Sequence, residues 1–371
     1  KKLNVPNLRF PEFQGVWTEE RLADIAKFYK GTGIPKDQLS DEGEPCILYG
    51  ELYTKYKSET IGKVISKTNI DNTKLVKSKT NDVIIPCSGE TAEDIATARC
   101  VLNDNILLGG DLNIIRLHGY DGTFMSYQLN GKRKYDIARV AQGVSVVHLY
   151  GEHLKGVKTI NPCLEEQKKI ANLLSLLDER IATQNKIIEK LQSLIKGLAV
   201  TLTTKGKPNT TISQCLECHS STLQESEVSP NGLYKVFGAN GLVGYTDVPQ
   251  MNGDSILVIK DGSGVGTASY AQGKFSVIGT LNYLTVLGNN NLRYLYFALS
   301  VFNFQSYKTG MAIPHIYFKD YGNAKIYCPS LTEQKRVANM LDKMESKLFL
   351  EQELLASFNS QKRYLLGQMF I

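Results

Sequence analysis

Long apolar runs are missing from this 371-residue sequence: no stretch of eighteen or more apolar residues occurs, which leaves no candidate membrane-spanning helix. The opening Lys1-Lys-Leu-Asn-Val-Pro-Asn-Leu8 has no apolar signal-peptide core, so export is not expected. It also lacks an initiator Met, and a few preceding residues are expected. Cysteine is sparse: seven residues, odd in number and scattered, fit reduced thiols and a cytoplasmic location rather than a disulfide framework. A strong excess of one charge is absent as well. The 43 basic and 37 acidic residues leave +6, a balance that permits nucleic-acid binding without demanding it.

What is present is a duplication. Pro162-Cys-Leu-Glu-Glu-Gln-Lys-Lys-Ile-Ala-Asn-Leu-Leu returns as Pro329-Ser-Leu-Thr-Glu-Gln-Lys-Arg-Val-Ala-Asn-Met-Leu, 167 residues later. Leu177/Met344, Asp178/Glu345, Arg180/Lys347 and Ile181/Leu348 keep the same offset, as do Gly143/Gly310, His148/His315 and Tyr150/Tyr317 upstream. Gly110-Asp-Leu-Asn113 answers Gly279-Thr-Leu-Asn282 at a slightly different offset, so the halves have diverged most in their N-terminal portions.

Each half divides into a globular part and a long helix. The globular parts carry short β-type runs such as Asp82-Val-Ile-Ile-Pro86, Leu112–Leu117, Ser255–Ile259 and Tyr283–Leu287. Asn130-Gly131 and Asn240-Gly241 are expected turns between them, and the aromatic-rich 292–306 an expected helix. The resulting class is α+β, with mixed α/β globular domains. In the helices, Glu165, Glu166 and Glu333 fall in the first turn, where they favour the macrodipole. Ile170, Leu174, Leu177, Ile181, Ile188, Leu191, Ile195 and Leu198 then step by four and three, broken only by Gln184. Val337, Leu341, Met344, Leu348, Leu355, Phe358, Leu365 and Met369 repeat the seam, with Glu351 and Lys362 interrupting it. One such helix would suit a bundle core. Two matching helices of ~36 residues, each ~54 Å long, predict an antiparallel coiled coil that holds two globular domains at its ends, related by a pseudo-twofold axis.

This organisation resembles the specificity (S) subunits of type I restriction-modification systems, the HsdS family, over nearly the whole chain. Its most specific mark is Pro-x-Leu-x-Glu-Gln-Lys at the start of both helices. The lead-in Val5-Pro-Asn-Leu-Arg-Phe-Pro-Glu-Phe13 with Trp17 and Leu22 is similar to the family's, as are Tyr234–Tyr245, Leu257–Gly266 and Gly273-Lys-Phe-Ser276. In the first half Cys46-Ile-Leu-Tyr-Gly50 is only a faint echo of the Phe237-Gly238 segment. The resemblance implies an N-terminal segment and first target recognition domain (1–161), a central helical region (162–206), a second recognition domain (207–328) and a C-terminal helical region (329–371). It implies a subunit with no catalytic centre that reads a bipartite duplex DNA target. Two adenine methyltransferase subunits, carrying S-adenosylmethionine, would assemble on it, and two motor-nuclease subunits where the host has them. Two different domains suit an asymmetric split site, whereas identical ones would read a palindrome.

Motifs that could carry other chemistry have plainer readings. Cys215-Leu-Glu-Cys218-His219 fits covalent haem attachment, but the first half has Ile25 and Phe28 at the corresponding places, so both cysteines are expected to be small buried hydrophobes. Asn161-Pro162-Cys163-Leu164 approaches the Asn-Pro-Pro-Tyr/Phe loop of adenine methyltransferases but lies at a strand-to-helix connection. Glu166-Gln-Lys168 and Glu333-Gln-Lys335 match half of a nuclease motif with no Asp placed to share a metal. Gly262-Ser-Gly-Val-Gly-Thr267 lacks the Lys-Ser/Thr of a Walker loop; its amides could lie against a DNA backbone or close a structural turn. No metal ligand set and no cofactor of the chain's own is expected.

Candidate DNA contacts follow from cations near turns with interleaved aromatics. In the first domain they are Tyr53, Lys55, Tyr56, Lys57, Lys132, Arg133 and Lys134; in the second, Lys235, Asn240, Tyr245, Lys260, Lys308 and His315. For the repeat-equivalent His148 and His315 a shared structural hydrogen bond is the alternative to base reading. At the level of function, the alternatives are a DNA-binding or architectural protein without enzymatic partners, and a non-DNA scaffold.

Overall fold

The computed structural model describes residues 5–143 and 146–371. The chain forms two compact units. One runs through Gln184 and takes in Leu354–Ile371; the other is Asn185–Glu353. Each unit thus contains part of both long helices, Leu164–Thr203 and Leu331–Met369.

The first unit is built on a five-stranded sheet in the order Ala26–Lys30, Leu112–Leu117, Asp82–Pro86, Arg99–Val101, Thr60–Ile61. Its neighbours are antiparallel except the last, parallel pair. In the second unit Leu216–Ser220, Leu281–Val286, Ser255–Ile259 and Ala268–Ala271 form a sheet of the same order, antiparallel throughout. Asp82–Pro86 and Ser255–Ile259 are buried along their whole length, as expected of central strands covered on both faces. The apolar runs singled out in the sequence are these strands.

The second sheets also correspond. In one unit Glu44–Ile47 lies parallel to Leu107–Leu108 and antiparallel to Ser66–Thr68; in the other Tyr234–Gly238 lies parallel to Lys274–Val277 and antiparallel to Gly241–Thr246. The faint resemblance of Cys46–Gly50 to the Phe237-Gly238 segment therefore marks the same strand. What differs is the connection that follows. Asn240 closes a tight hairpin with Gly241, which adopts φ +98°, whereas residues 48–65 make a long excursion that includes the helical turn Glu51–Thr54.

Two expectations are corrected. Asn130-Gly131 is a helix end, not a strand turn: Gly122–Asn130 is helical and the Asn130 side chain bonds both the N–H and the carbonyl of Ala98. The helix expected over 292–306 spans Leu292–Ser300, and a separate 3₁₀ turn follows at Phe304–Tyr307.

The long helices bury the sides their heptads mark. Ile170, Leu174, Leu177, Ile188 and Ile195 are buried and Ile181 and Leu191 half-buried; Val337 and Leu341 are buried, and Met344, Leu348 and Leu355 half-buried. The pairing is antiparallel in each unit. In the first, Ile170 and Leu174 share a core cluster with Met369 and Phe370, and Asp178 meets Lys362. In the second, Ala199 packs with Val337, Ala338 and Leu341, and Lys205 pairs with Glu333. Lys362, an apparent break in the seam, places its ammonium between Glu59 and Asp178 at 2.8 and 2.7 Å. Burial works against its charge, but the two carboxylates outweigh it and raise the Lys362 pKa.

Candidate nucleic-acid interface

The Gln of the repeated motif fixes each globular part to the helix that follows it. Gln167 is buried; its Nε2 donates to the Pro162 carbonyl at 2.8 Å, and its Oε1 accepts from the Asp121 N–H at 2.9 Å. Gln334 repeats this with Pro329 and the Asn291 N–H at 2.9 and 2.8 Å. Asp121 and Asn291 are the N-cap residues of Gly122–Asn130 and Leu292–Ser300, so one glutamine joins the strand-to-helix turn to the domain's own helix start. The spacing of the motif was legible in the sequence; its partners were not.

Glu166 does more than complement a macrodipole. It is fully buried and holds Arg9 of the lead-in through two bonds of 2.7 Å, which raise the Arg9 pKa. Both of its oxygens are taken by the Arg9 guanidinium. Trp17, in the same lead-in, is buried edge-on against Phe124. Asn161 is likewise structural, its amide donating to Glu20 and Thr159 inside the strand-to-helix connection.

Cys215 is fully buried, while Cys218 is half-buried and burial pushes its thiol up to about 11. Both occupy the register of Ile25 and Phe28, since Ile212–Cys215 and Leu216–Ser220 repeat Leu22–Ile25 and Ala26–Lys30. Among the described residues no group of three or more His, Cys, Asp or Glu could hold a metal ion. No helix among them is long and apolar enough to cross a membrane. The Gly-rich segment has few free amides: Gly262, Val265, Gly266 and Thr267 donate to Pro314, Gly262, Ile259 and Gly264 carbonyls. A phosphate cradle is therefore not available there, and the segment is a structural turn.

The proposed DNA contacts separate into exposed and engaged residues. Tyr56 is corrected: it is buried among Ile47, Leu52 and Ile61, its oxygen accepts from the Ile65 N–H, and burial pushes it up to about 12. Lys55 is corrected in part, because its ammonium bonds Glu51 at 2.6 Å and Ser66 at 2.9 Å. Arg133 is corrected too; it reaches Asp136 and the Ile371 carbonyl. Lys57 and Lys132 are exposed, and Tyr53 and Lys134 half-buried.

In the second unit the candidates form two groups. Lys235 and Tyr245 are cross-strand partners on the hairpin that Asn240 closes, with Lys235 and Asn240 exposed. Lys260, Lys308 and His315 gather around one loop. The Lys260 carbonyl accepts from Ile316 N–H, and Thr309, next to Lys308, exchanges two backbone bonds with His315. Gln142 and His148 make the same exchange in the first unit, so the repeated histidines do share a structural hydrogen-bond pattern. The excursion 48–65, which carries Tyr53–Lys57, stands where the Asn240 hairpin turn stands in the other unit. Candidates chosen separately in the two halves thus fall at one topological position.

Two units of one plan, each pinned to a long helix by the equivalent Gln, define a duplicated two-unit protein. The chain belongs to the family of the type I restriction modification DNA specificity domain, whose sequence profile matches residues 15–193 and 215–359. It is 30% identical over 200 residues to the type I restriction enzyme MjaVIII specificity subunit of Methanocaldococcus jannaschii, an alignment covering 54% of this chain and 44% of that protein. It is 25% identical over 114 residues to the EcoprrI specificity subunit of Escherichia coli, covering 31% of this chain and 28% of that one. The chain thus spans less than half the length of these curated relatives. Its fold matches the type I restriction-modification S subunit from M. genitalium with a TM-score of 0.71 at 20% identity, covering 99% of both chains.

Proposed function

We propose that this chain is the DNA sequence-specificity subunit of a type I restriction-modification enzyme. Each unit reads one half of a bipartite duplex target, and the long helices assemble adenine methyltransferase subunits, and restriction subunits where the host supplies them. The chain itself performs no catalysis, and S-adenosylmethionine belongs to the partner. The observation that carries the reading is the contrast within a duplicated plan. Sheet order and helix anchorage are the same in both units, while the connection at 48–65 and at Asn240 differs as two readers of different sequence would. Membership of the specificity-domain family supports it.

Within this reading Tyr53, Lys57, Lys132, Lys134, Lys235, Asn240 and Tyr245 remain candidate duplex contacts, joined by Lys260, Lys308 and His315. The test maps N6-methyladenine across the genome of the source strain with and without the gene. The expected result is loss of one motif with two short specific halves and a fixed unread spacer. An unchanged methylation pattern would overturn the proposal.

A further inference from the structure

The loop Thr309–His315 in the second unit is closed at its base by Thr309 N–H to His315 O at 2.9 Å and His315 N–H to Thr309 O at 2.8 Å. Gly310 turns it with φ +84°, and a Cβ there would collide with the Ile313 carbonyl oxygen. The rigid base contrasts with the tip: Met311 is fully exposed and Ile313 is 68% exposed. Two large apolar side chains set together at the tip of a braced loop form an exposed apolar patch of the kind that a partner covers. Lys260 and Lys308 flank the loop with no ion pair among the described residues, Lys319 lies over the exposed Tyr317 ring, and Asp261 and Asp320 are the acids beside them.

The described part of the first unit repeats the pattern. Gln142 and His148 exchange the same two bonds, Gly143 has φ +120°, Val146 is exposed, and Tyr150 lies beside His148 as Tyr317 lies beside His315. The connections that differ between the units are elsewhere, at 48–65 and Asn240. The braced base and the exposed apolar edge are what is held constant; the flanking lysines belong to the second unit alone, since Cys87 and Ala141 stand where Lys260 and Lys308 stand. A feature held constant between two readers of different sequence touches what every duplex offers.

We propose that the Thr309–His315 loop is a sequence-independent duplex anchor: Met311 and Ile313 enter a groove as an apolar wedge against the base stack, and Lys260 and Lys308 bind the flanking phosphates. The inference rests on the chain being a DNA reader. Apolar wedges flanked by cations are a known means of holding a duplex without reading it, and each lysine on a phosphate adds about one unit to the salt dependence.

The test uses the full chain co-purified with the host's adenine methyltransferase subunit, and two duplexes: one carrying the motif found by methylation mapping and one unrelated. Met311→Asp with Ile313→Asp should weaken both by the same factor, about tenfold or more, leaving the ratio between them and the thermal unfolding midpoint unchanged. Lys260→Gln and Lys308→Gln should each lower the salt slope by about one. Unchanged affinity for both duplexes overturns the anchor, as does a loss confined to the motif duplex, which would make the loop a base reader. Lost co-purification with the methyltransferase also overturns it and assigns the tip to a protein contact. If the unsubstituted complex binds neither duplex, it is the DNA-reading proposal itself that fails.

Discussion

At 178 in the first unit and 345 in the second, the repeat places an acid on a long helix, and each unit neutralises it differently. Asp178 accepts from the Tyr127 hydroxyl at 2.6 Å and meets Lys362, a residue of the opposite long helix that also serves Glu59. Glu345 meets Arg293, a residue of the domain's own helix, which also holds Asp342 and stacks on Tyr270, Tyr296 and Phe297. The first arrangement is nearly closed to solvent, with Asp178 9% and Glu59 12% exposed; in the second Asp342 is 36% exposed. A retained charge does not require a retained partner; it requires only that some cation reach it. How deeply the group is buried then decides what losing that cation costs.

The sharpest test of this contrast is Lys362→Met, which removes the ammonium bonded to two buried carboxylates and leaves only the more distant charge of Arg99 facing them. It should cost about 3–5 kcal/mol in urea unfolding. Arg293→Met should cost less, about 1–2 kcal/mol, because its acids are partly hydrated and the loss is mainly stacking and hydrogen bonding. Equal losses would show that burial is not what separates the two sites.

Next in size is Glu166→Gln, expected to cost about 3 kcal/mol by leaving the Arg9 guanidinium without its carboxylate. Glu333→Gln, in the same repeat position but partly exposed beside Lys205 and Arg336, should be much milder. Parallel melts of the two variants decide it.

Where the units agree, their responses should agree. Gln167→Leu and Gln334→Leu each strand the N–H of an N-cap residue, at a cost of about 1–3 kcal/mol. The two losses should match within error in denaturant titrations. A large disparity would mean that the shared motif carries different loads in the two halves.

The smallest effect is on pH. Lys205 lowers the Glu333 pKa below the ordinary glutamate value, first through its hydrogen bond and then through its charge. The folded carboxylate therefore binds protons less readily than the unfolded one. Its contribution is present above the usual glutamate range and fades as pH falls through the depressed folded value. Lys205→Met should flatten that part of the stability profile, read from melts between neutral and acid pH.

These differences also mark how far the sequence could be read. Heptad spacing revealed both long helices and their inward faces because each residue's place on a helix depends only on its neighbours in sequence. The family resemblance named the repeated Glu-Gln, but nothing local shows that Gln167 reaches the Asp121 amide or that Glu166 faces Arg9, 157 residues away. Charge near turns picked out Lys55, Tyr56 and Arg133 as surface groups. Tertiary contacts claimed all three, Tyr56 because it is the apolar side of a short helical turn folded onto the sheet. Exposed Met311 and Ile313 escaped notice since an apolar residue outside a periodic run reads as core.

The different lengths at 48–65 and at Asn240 have a consequence for how such a protein can change over generations. Both connections leave and re-enter the same pair of strands, and neither supplies a residue to the glutamine anchors. Length changes at the Asn240 turn leave the scaffold untouched, whereas within 48–65 the strand Thr60–Ile61, the core residues Leu52 and Tyr56 and the Lys362 partner Glu59 must be kept. Only the exposed stretch around Lys57 is free to vary there. Under the proposed function, a lineage can thus trial new target preferences in one half while inheriting the other half intact.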